Sequence, residues 1–220
     1  MTTQTAESIL FGLALGDALG WPVEFKSLTV IKQEYGESGI QEPPTPAQYT
    51  DDTQMTLALA EGVMDVGLNA PVSAIMDGIG AQFLTWAGLQ NDPSYSFAPG
   101  TTCLAGMRRY AETGNWRTSG IETSKGCGSA MRVAALGYLY QHAPERLREI
   151  AIASSQITHR HPAAMAAAAG AAYAVKLALD GVEPNDMPRA IDAFTAGISD
   201  EFTAALHRIG HVAGWVNDEH

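Results

Sequence analysis

Apolar residues recur along this chain at helical spacing, as in Ile9, Leu10, Leu13 and Ala14 and again in Met55, Leu57, Leu59 and Val63, while strict alternation is hard to find. That periodicity selects helices over half-buried strands. It predicts helices near residues 71–89, 101–112, 129–142, 144–157, 162–179, 186–196 and 200–216, besides those carrying the residues just named. Pro71, Pro144 and Pro162 each suit a first helical turn, where a missing N–H costs nothing. Residues 163–174 are nearly all alanine, which lets neighbouring backbones approach closely. The expected fold class is therefore all-α.

With 220 residues and 46% hydrophobic content, the chain can bury one substantial core, and residues 1–220 read as a single domain. A formal net charge of -11 disfavours nucleic-acid backbones and anionic lipid surfaces. A phosphate-bearing small substrate remains compatible if metal ions or backbone donors receive it locally. Cys103 and Cys127 are too few for a disulfide framework, and they point to a reducing, cytoplasmic setting. The first residues lack a basic segment and are interrupted by Asp17, unlike a secretion signal. No uncharged apolar run reaches the ~20 residues of a spanning helix.

Residues 26–50, with Pro43, Pro44 and Pro46, form the longest expected loop, a candidate border for a site. Thr50, Asp51, Asp52 and Thr53 sit where it becomes helix. Thr50 or Asp51 serves as an N-cap in one reading. In another, the hydroxyl and two carboxylates offer hard oxygen ligands to Mg²⁺. Glu24, after the first helix and Pro22, is either a surface acid or part of the same acidic group. Asp17, on an apolar helix face, must be paired or hydrogen-bonded and is expected to organise a neighbouring loop.

Ser124, Lys125, Gly126, Cys127, Gly128 and Ser129 lead into an apolar helix. The glycines permit positive φ and close backbone approach to phosphate or ribose, whereas the alternative is a plain turn with Ser129 as a cap. His159 and His161 at i and i+2 make a poor zinc motif; one of them contacts a ligand or holds its loop. Gly100, Thr101 and Thr102 form another loop-to-helix junction. Neither cysteine has a His or Asn at telling spacing, so both read as non-catalytic thiols.

In order, GLALGDALGWPVEF, YTDDTQMTLALAEG, APGTTCLAG, SKGCGSAMRVAALG and THRHPAA closely resemble the ADP-ribosylglycohydrolase family, also called the dinitrogenase-reductase-activating glycohydrolase family. The resemblance runs from Gly12 to about Ala169. It implies a compact orthogonal helical bundle with two Mg²⁺ ions at the base of an ADP-ribose cleft. It implies Thr50, Asp51 and Asp52 as metal ligands, and Glu24 and Asp52 as the groups that position or deprotonate water. It implies Ser124, Gly126, Cys127, Gly128 and Ser129 around the diphosphate and ribose, Gly100 as a backbone contact, and His159 near the adenosine end. The substrate would be ADP-ribose joined to a protein side chain or a small molecule.

One departure stands out: family members continue to a late Gly-Asp-x-Asp-Thr type motif that completes the metal pair, and nothing after Thr158 supplies it. The expectation is a domain incomplete at its C-terminal side. Its activity is then weak, absent or dependent on a missing segment; alternatively the chain is a catalytically silent relative that binds ADP-ribose or has a structural role, as some lens crystallins resembling this family do.

Overall fold

The computed structural model describes residues 3–209. Their helices run, in order, α1 (Thr3–Gly20), α2 (Leu28–Tyr35), α3 (Asp51–Val66), α4 (Val72–Leu89), α5 (Thr101–Thr113), α6 (Trp116–Ser119), α7 (Ala134–Leu139), α8 (Pro144–Gln156), α9 (Pro162–Leu179), α10 (Met187–Thr195) and α11 (Asp200–Leu206). Short 3₁₀ turns lie at Trp21–Val23, Cys127–Ser129 and Pro184–Asp186. Among the described residues the only β-type pairing is an isolated parallel bridge between Ile121 and His159. The all-α expectation holds.

The densest packing joins α3 to α4, and glycines make it possible. A Cβ on Gly62 would lie 2.6 Å from Ile79 Cα, and one on Gly78 would lie 2.5 Å from the Gly62 carbonyl oxygen. The two backbones therefore touch, and Met55, Leu59, Ile75, Ile79 and Phe83 close into a dry core on either side of the crossing. On the other flank α9 packs on α7, α8, α10 and α11. Ala164, Ala166, Ala168, Ala169 and Ala172 are buried there, as the alanine-rich run implied. This 18-residue helix, with a mean hydropathy of 1.4, is long and apolar enough to cross a bilayer, a property the sequence reading did not anticipate. In the fold 39% of it is buried.

Several local expectations are corrected. Within the expected loop of residues 26–50, α2 forms because Ser27 accepts the Val30 N–H. The helix expected over residues 129–142 is interrupted. The Cys127 carbonyl accepts both the Ala130 and Met131 N–H groups in a tight turn, and α7 begins only at Ala134. Ser129 is consequently not a cap for α7; its buried hydroxyl donates to the Ala164 carbonyl at 3.4 Å. Pro144 and Pro162 do occupy first turns, whereas Pro71 stands one position earlier, before Val72. The helix expected to reach residue 216 is seen as α11; residues 210–216 lie outside the described residues.

Candidate functional site

The site is organised from the side by Asp17, which reaches from α1 to the start of α3. Its Oδ2 accepts the Thr50 N–H at 2.8 Å, the Thr53 N–H at 3.1 Å and the Thr53 hydroxyl at 2.6 Å, while Oδ1 accepts the Thr50 hydroxyl at 2.7 Å. The first-turn donors of α3 are thus satisfied by a carboxylate 33 positions earlier in the chain. Neither Thr50 nor Asp51 caps the helix with its side chain, contrary to that expectation. Thr50 sits at the N-cap position, but its hydroxyl proton is directed at Asp17, and a carboxylate is the stronger acceptor for the helix N–H groups. Asp17 does hold the neighbouring loop in place, as a polar group on an apolar face must.

With the helix capped from α1, Asp51 and Asp52 are left for other work. Asp51 Oδ2 accepts the Gly100 N–H at 2.8 Å and so ties the start of α3 to the start of α5. Burial, opposed by that bond and reinforced by Glu24 and Asp17, raises its pKa to about 6. Among the described residues the Asp52 carboxylate has neither a hydrogen-bond nor an ion-pair partner. Burial first, then Asp17, Asp51 and Glu24, push it up to about 7. Glu24 follows the Trp21–Val23 turn, just before Phe25, whose φ of 61° reverses the chain; burial and Asp17 raise its carboxyl above the ordinary range. Four acids gather here, and among the described residues no lysine or arginine forms an ion pair with them, although Arg132 feels the charge of Asp51 from the core.

Glu24 and Asp52 border two open cavities. The larger, about 440 Å³, runs from these acids and Asp51 past Gly100 to Cys127, Gly128 and His159. The smaller, about 310 Å³, lies on the α1 side against Gly16, Gly20 and Trp21. The first volume is within the range of small-molecule sites. The structure thereby brings Glu24, Asp51, Asp52, Gly100, Gly126, Cys127, Gly128 and His159 to one cavity. Thr50 faces the smaller one. Ser124 stands behind the glycine turn, 3.2 Å from the Thr102 hydroxyl, and Ser129 is directed away into the core.

In the glycine turn neither Gly126 nor Gly128 has positive φ, so conformational freedom is not why they are there. Space is the reason at Gly128. A Cβ there would meet Cys103 Sγ and His159 Cε1, each at 2.8 Å. His159 is itself buried, and desolvation followed by the nearby Arg132 lowers its pKa to about 3, so the ring is neutral at physiological pH. His161 caps α9 by accepting the Ala163 N–H. Burial pushes the Cys103 thiol up to about 11, and Cys127 is also raised, so neither is poised as a thiolate.

The donor set suits a hard cation in part. Thr50, Asp51 and Asp52 offer oxygens, and the raised carboxyls of Asp51, Asp52 and Glu24 mark negative charge that a cation would relieve. Among the described residues, however, no group of three or more His, Cys, Asp and Glu side chains forms a metal cage. Sequence reasoning missed Arg132, fully buried behind His159; its signal was a lone cation in an apolar run.

Known proteins resemble the chain in sequence. The chain is 36% identical over 171 residues to the ADP-ribosyl-[dinitrogen reductase] glycohydrolase of Rhodospirillum rubrum, covering 71% of this chain and 51% of that protein. It is 31% identical over 173 residues to an uncharacterized protein of Archaeoglobus fulgidus (76% of this chain, 53% of that one). An uncharacterized Escherichia coli protein is 31% identical over 197 residues (82% and 56%). The chain thus spans about half the length of the curated relatives it matches. A solved structure described as an ADP-ribosylglycohydrolase-related protein complex superposes with a TM-score of 0.60 at 27% identity, over 85% of this chain and 59% of that one. With the family's sequence profile matching residues 2–219, and with a helical fold of the same kind around the acidic cleft, the chain belongs to the ADP-ribosylglycohydrolase family.

Proposed function

We propose that this chain provides the ADP-ribose cleft and one metal-binding half of a Mg²⁺-dependent glycohydrolase. The reaction is hydrolysis of the glycosidic bond between ADP-ribose and a modified protein side chain or small molecule. The observation that carries this reading is the convergence of Glu24, Asp51 and Asp52 on one cavity edge without a cationic partner, with Thr50 beside them. Thr50, Asp51 and Asp52 would hold the ion, Asp51 while keeping its bond to Gly100. Bound Mg²⁺ supplies a Lewis acid that orients ribose hydroxyls and polarises water.

Asp52 or Glu24, both at the edge of the cavity, would accept the proton of the water that attacks the anomeric carbon, while the bond from that carbon to the leaving group breaks and the leaving group departs with a proton. Gly100 and the turn around Gly126, Cys127 and Gly128 border the body of the nucleotide, with Ser124 and Ser129 bracing that turn, and His159 closes the far wall. A cytoplasmic location fits the unpaired cysteines. The test is titration of the full chain with Mg²⁺ and ADP-ribose, followed by release assays on ADP-ribosylated arginine and serine peptides. Mg²⁺-dependent release supports the enzyme reading. Binding without release makes this chain a nucleotide-binding half, and absence of both overturns the proposal.

A further inference from the structure

Arg132 has no carboxylate partner among the described residues. One of its terminal nitrogens donates to the Ser154 carbonyl and to Thr158 Oγ1, both at 2.9 Å, while the other faces Met55 Sδ and Cys103 Sγ at 3.8 Å. Its guanidinium lies 4.5 Å from the centre of the Phe83 ring. Thr158 is fully buried, and its oxygen is 2.8 Å from His159 Nδ1.

Proton counting then fixes the direction of each bond. Arginine only donates, so Thr158 Oγ1 is an acceptor towards Arg132. The hydroxyl proton has one acceptor within reach among the described residues, His159 Nδ1, and leaving it unmatched in the core would be costly. Nδ1 is therefore the acceptor, and the ring proton sits on Nε2.

The backbone locks the same ring. The His159 N–H donates to the Ser155 carbonyl at 2.7 Å, the Ser155 hydroxyl returns a bond to the His159 carbonyl at 3.0 Å, and Arg160 N–H and Ile121 N–H close the bridge between the two segments. Nε2 has no partner among the described residues, although the residue is only 1% exposed, and it borders the large cavity beside Gly126 and Gly128. A Cβ on Gly128 would crowd it at 3.2 Å, whereas one on Gly126, at 3.5 Å, would make an ordinary contact.

We propose that Arg132 and Thr158 are positioning residues that fix His159 as the neutral Nε2–H tautomer, so that it donates a hydrogen bond to an oxygen of the bound ligand. The ligand group is an acceptor oxygen of ADP-ribose, either a hydroxyl or a phosphate oxygen, and this part rests on the reading of the cavity as an ADP-ribose cleft. His159 is then neither a proton acceptor nor a metal ligand through Nε2. Burial first, and then the positive charge of Arg132, oppose a second proton on the ring and keep the donor neutral.

The test uses the full chain with ¹⁵N-labelled histidine, whose long-range ¹H–¹⁵N correlations distinguish the two neutral tautomers, with His159 assigned by loss of its signals in His159→Gln. The expected result is Nε2–H for the wild type without ligand. Thr158→Val should shift His159 towards Nδ1–H and weaken ADP-ribose binding about five- to tenfold, and Thr158→Ser should restore both. An Nδ1–H ring in the wild type overturns the proposal, even if the valine variant does not fold. So does a Thr158→Val protein whose tautomer is unchanged, or whose tautomer shifts while ADP-ribose affinity does not. If the wild type binds no ADP-ribose, the cleft reading fails and takes the ligand half of the proposal with it, while the tautomer result still decides the positioning half.

Discussion

The two walls of the large cavity handle buried polarity in opposite ways. On the α3 side, Asp51, Asp52 and Glu24 are crowded together with their charges unanswered, and the pKa of Asp52 climbs to about 7. On the opposite wall, Arg132, Thr158 and His159 are more deeply buried, yet the arginine's charge is spread over carbonyl, hydroxyl, sulfur and aromatic partners. A buried network of this kind, paired except at Arg132 Nε, rigidifies its surroundings. A buried cluster of like charge destabilises the protein that contains it until something binds. One wall keeps a concentration of negative charge, and the other holds still.

Breaking the acidic wall should give the largest effect. Asp52→Ala is expected to abolish any heat of Mg²⁺ binding in calorimetric titration; unaltered binding would show that the ion, if bound, sits elsewhere. Removing the support behind that wall comes next. Asp17→Ala leaves two N–H groups and two hydroxyls at the start of α3 without their acceptor. Urea unfolding should report a loss of about 2–4 kcal/mol, and a loss below half of that would mean water replaces the carboxylate easily.

The opposite wall is tested by crowding. In Gly128→Val the new side chain meets Cys103 and His159, which cannot retreat because both are buried. The expected cost is about 1–3 kcal/mol, together with reduced ADP-ribose affinity. A variant as stable as wild type would mean that the turn yields.

The smallest expected effect concerns pH. Asp51 and Asp52, raised from an ordinary 3.8 to about 6 and about 7, bind more protons folded than unfolded in that interval. Without metal, the stability linked to them is full below the ordinary value and is lost as pH rises through the raised ones. His159 works in the other direction, since its lowered pKa makes its contribution fall as pH drops below 6.5. Comparing wild type with Asp52→Asn cancels the histidine. In metal-free buffer the amide variant should gain on wild type by about 1 kcal/mol between acid and neutral pH, the partial exposure of Asp52 screening the full shift. A constant difference across that range would mean that the cluster is already relieved by solvent.

Legibility in the sequence differed between the walls for a physical reason. Asp51 and Asp52 are adjacent in the chain, next to a helix start, so their convergence needed only local geometry. The dependence of that helix start on Asp17 was legible only as a need for some partner. The partner's identity comes from the approach of α1 to α3. At the other wall, Arg132 and Thr158 are far apart in sequence, and nothing local shows that one will donate to the other. The short helix α2 was hidden because Gly36, Gly39, Pro43, Pro44 and Pro46 made the whole of residues 26–50 read as loop, while one serine cap and eight residues ahead of them suffice to build it. The glycine turn was explained by positive φ and by close backbone approach to a ligand; its φ values are negative, and the requirement seen at Gly128 is room beside His159 and Cys103.

The sequence by itself determined the helical class, through the period of its apolar residues, and the family, through the order and wording of its motifs. Both properties are local or linear, so one dimension suffices to read them. Only the tertiary structure decided that Asp17 caps α3, that Asp52 is left without a partner, and that Thr158 and Arg132 meet beside His159. Each of these depends on how many donors and acceptors meet at one point in space, and that sum is made by packing rather than by sequence separation.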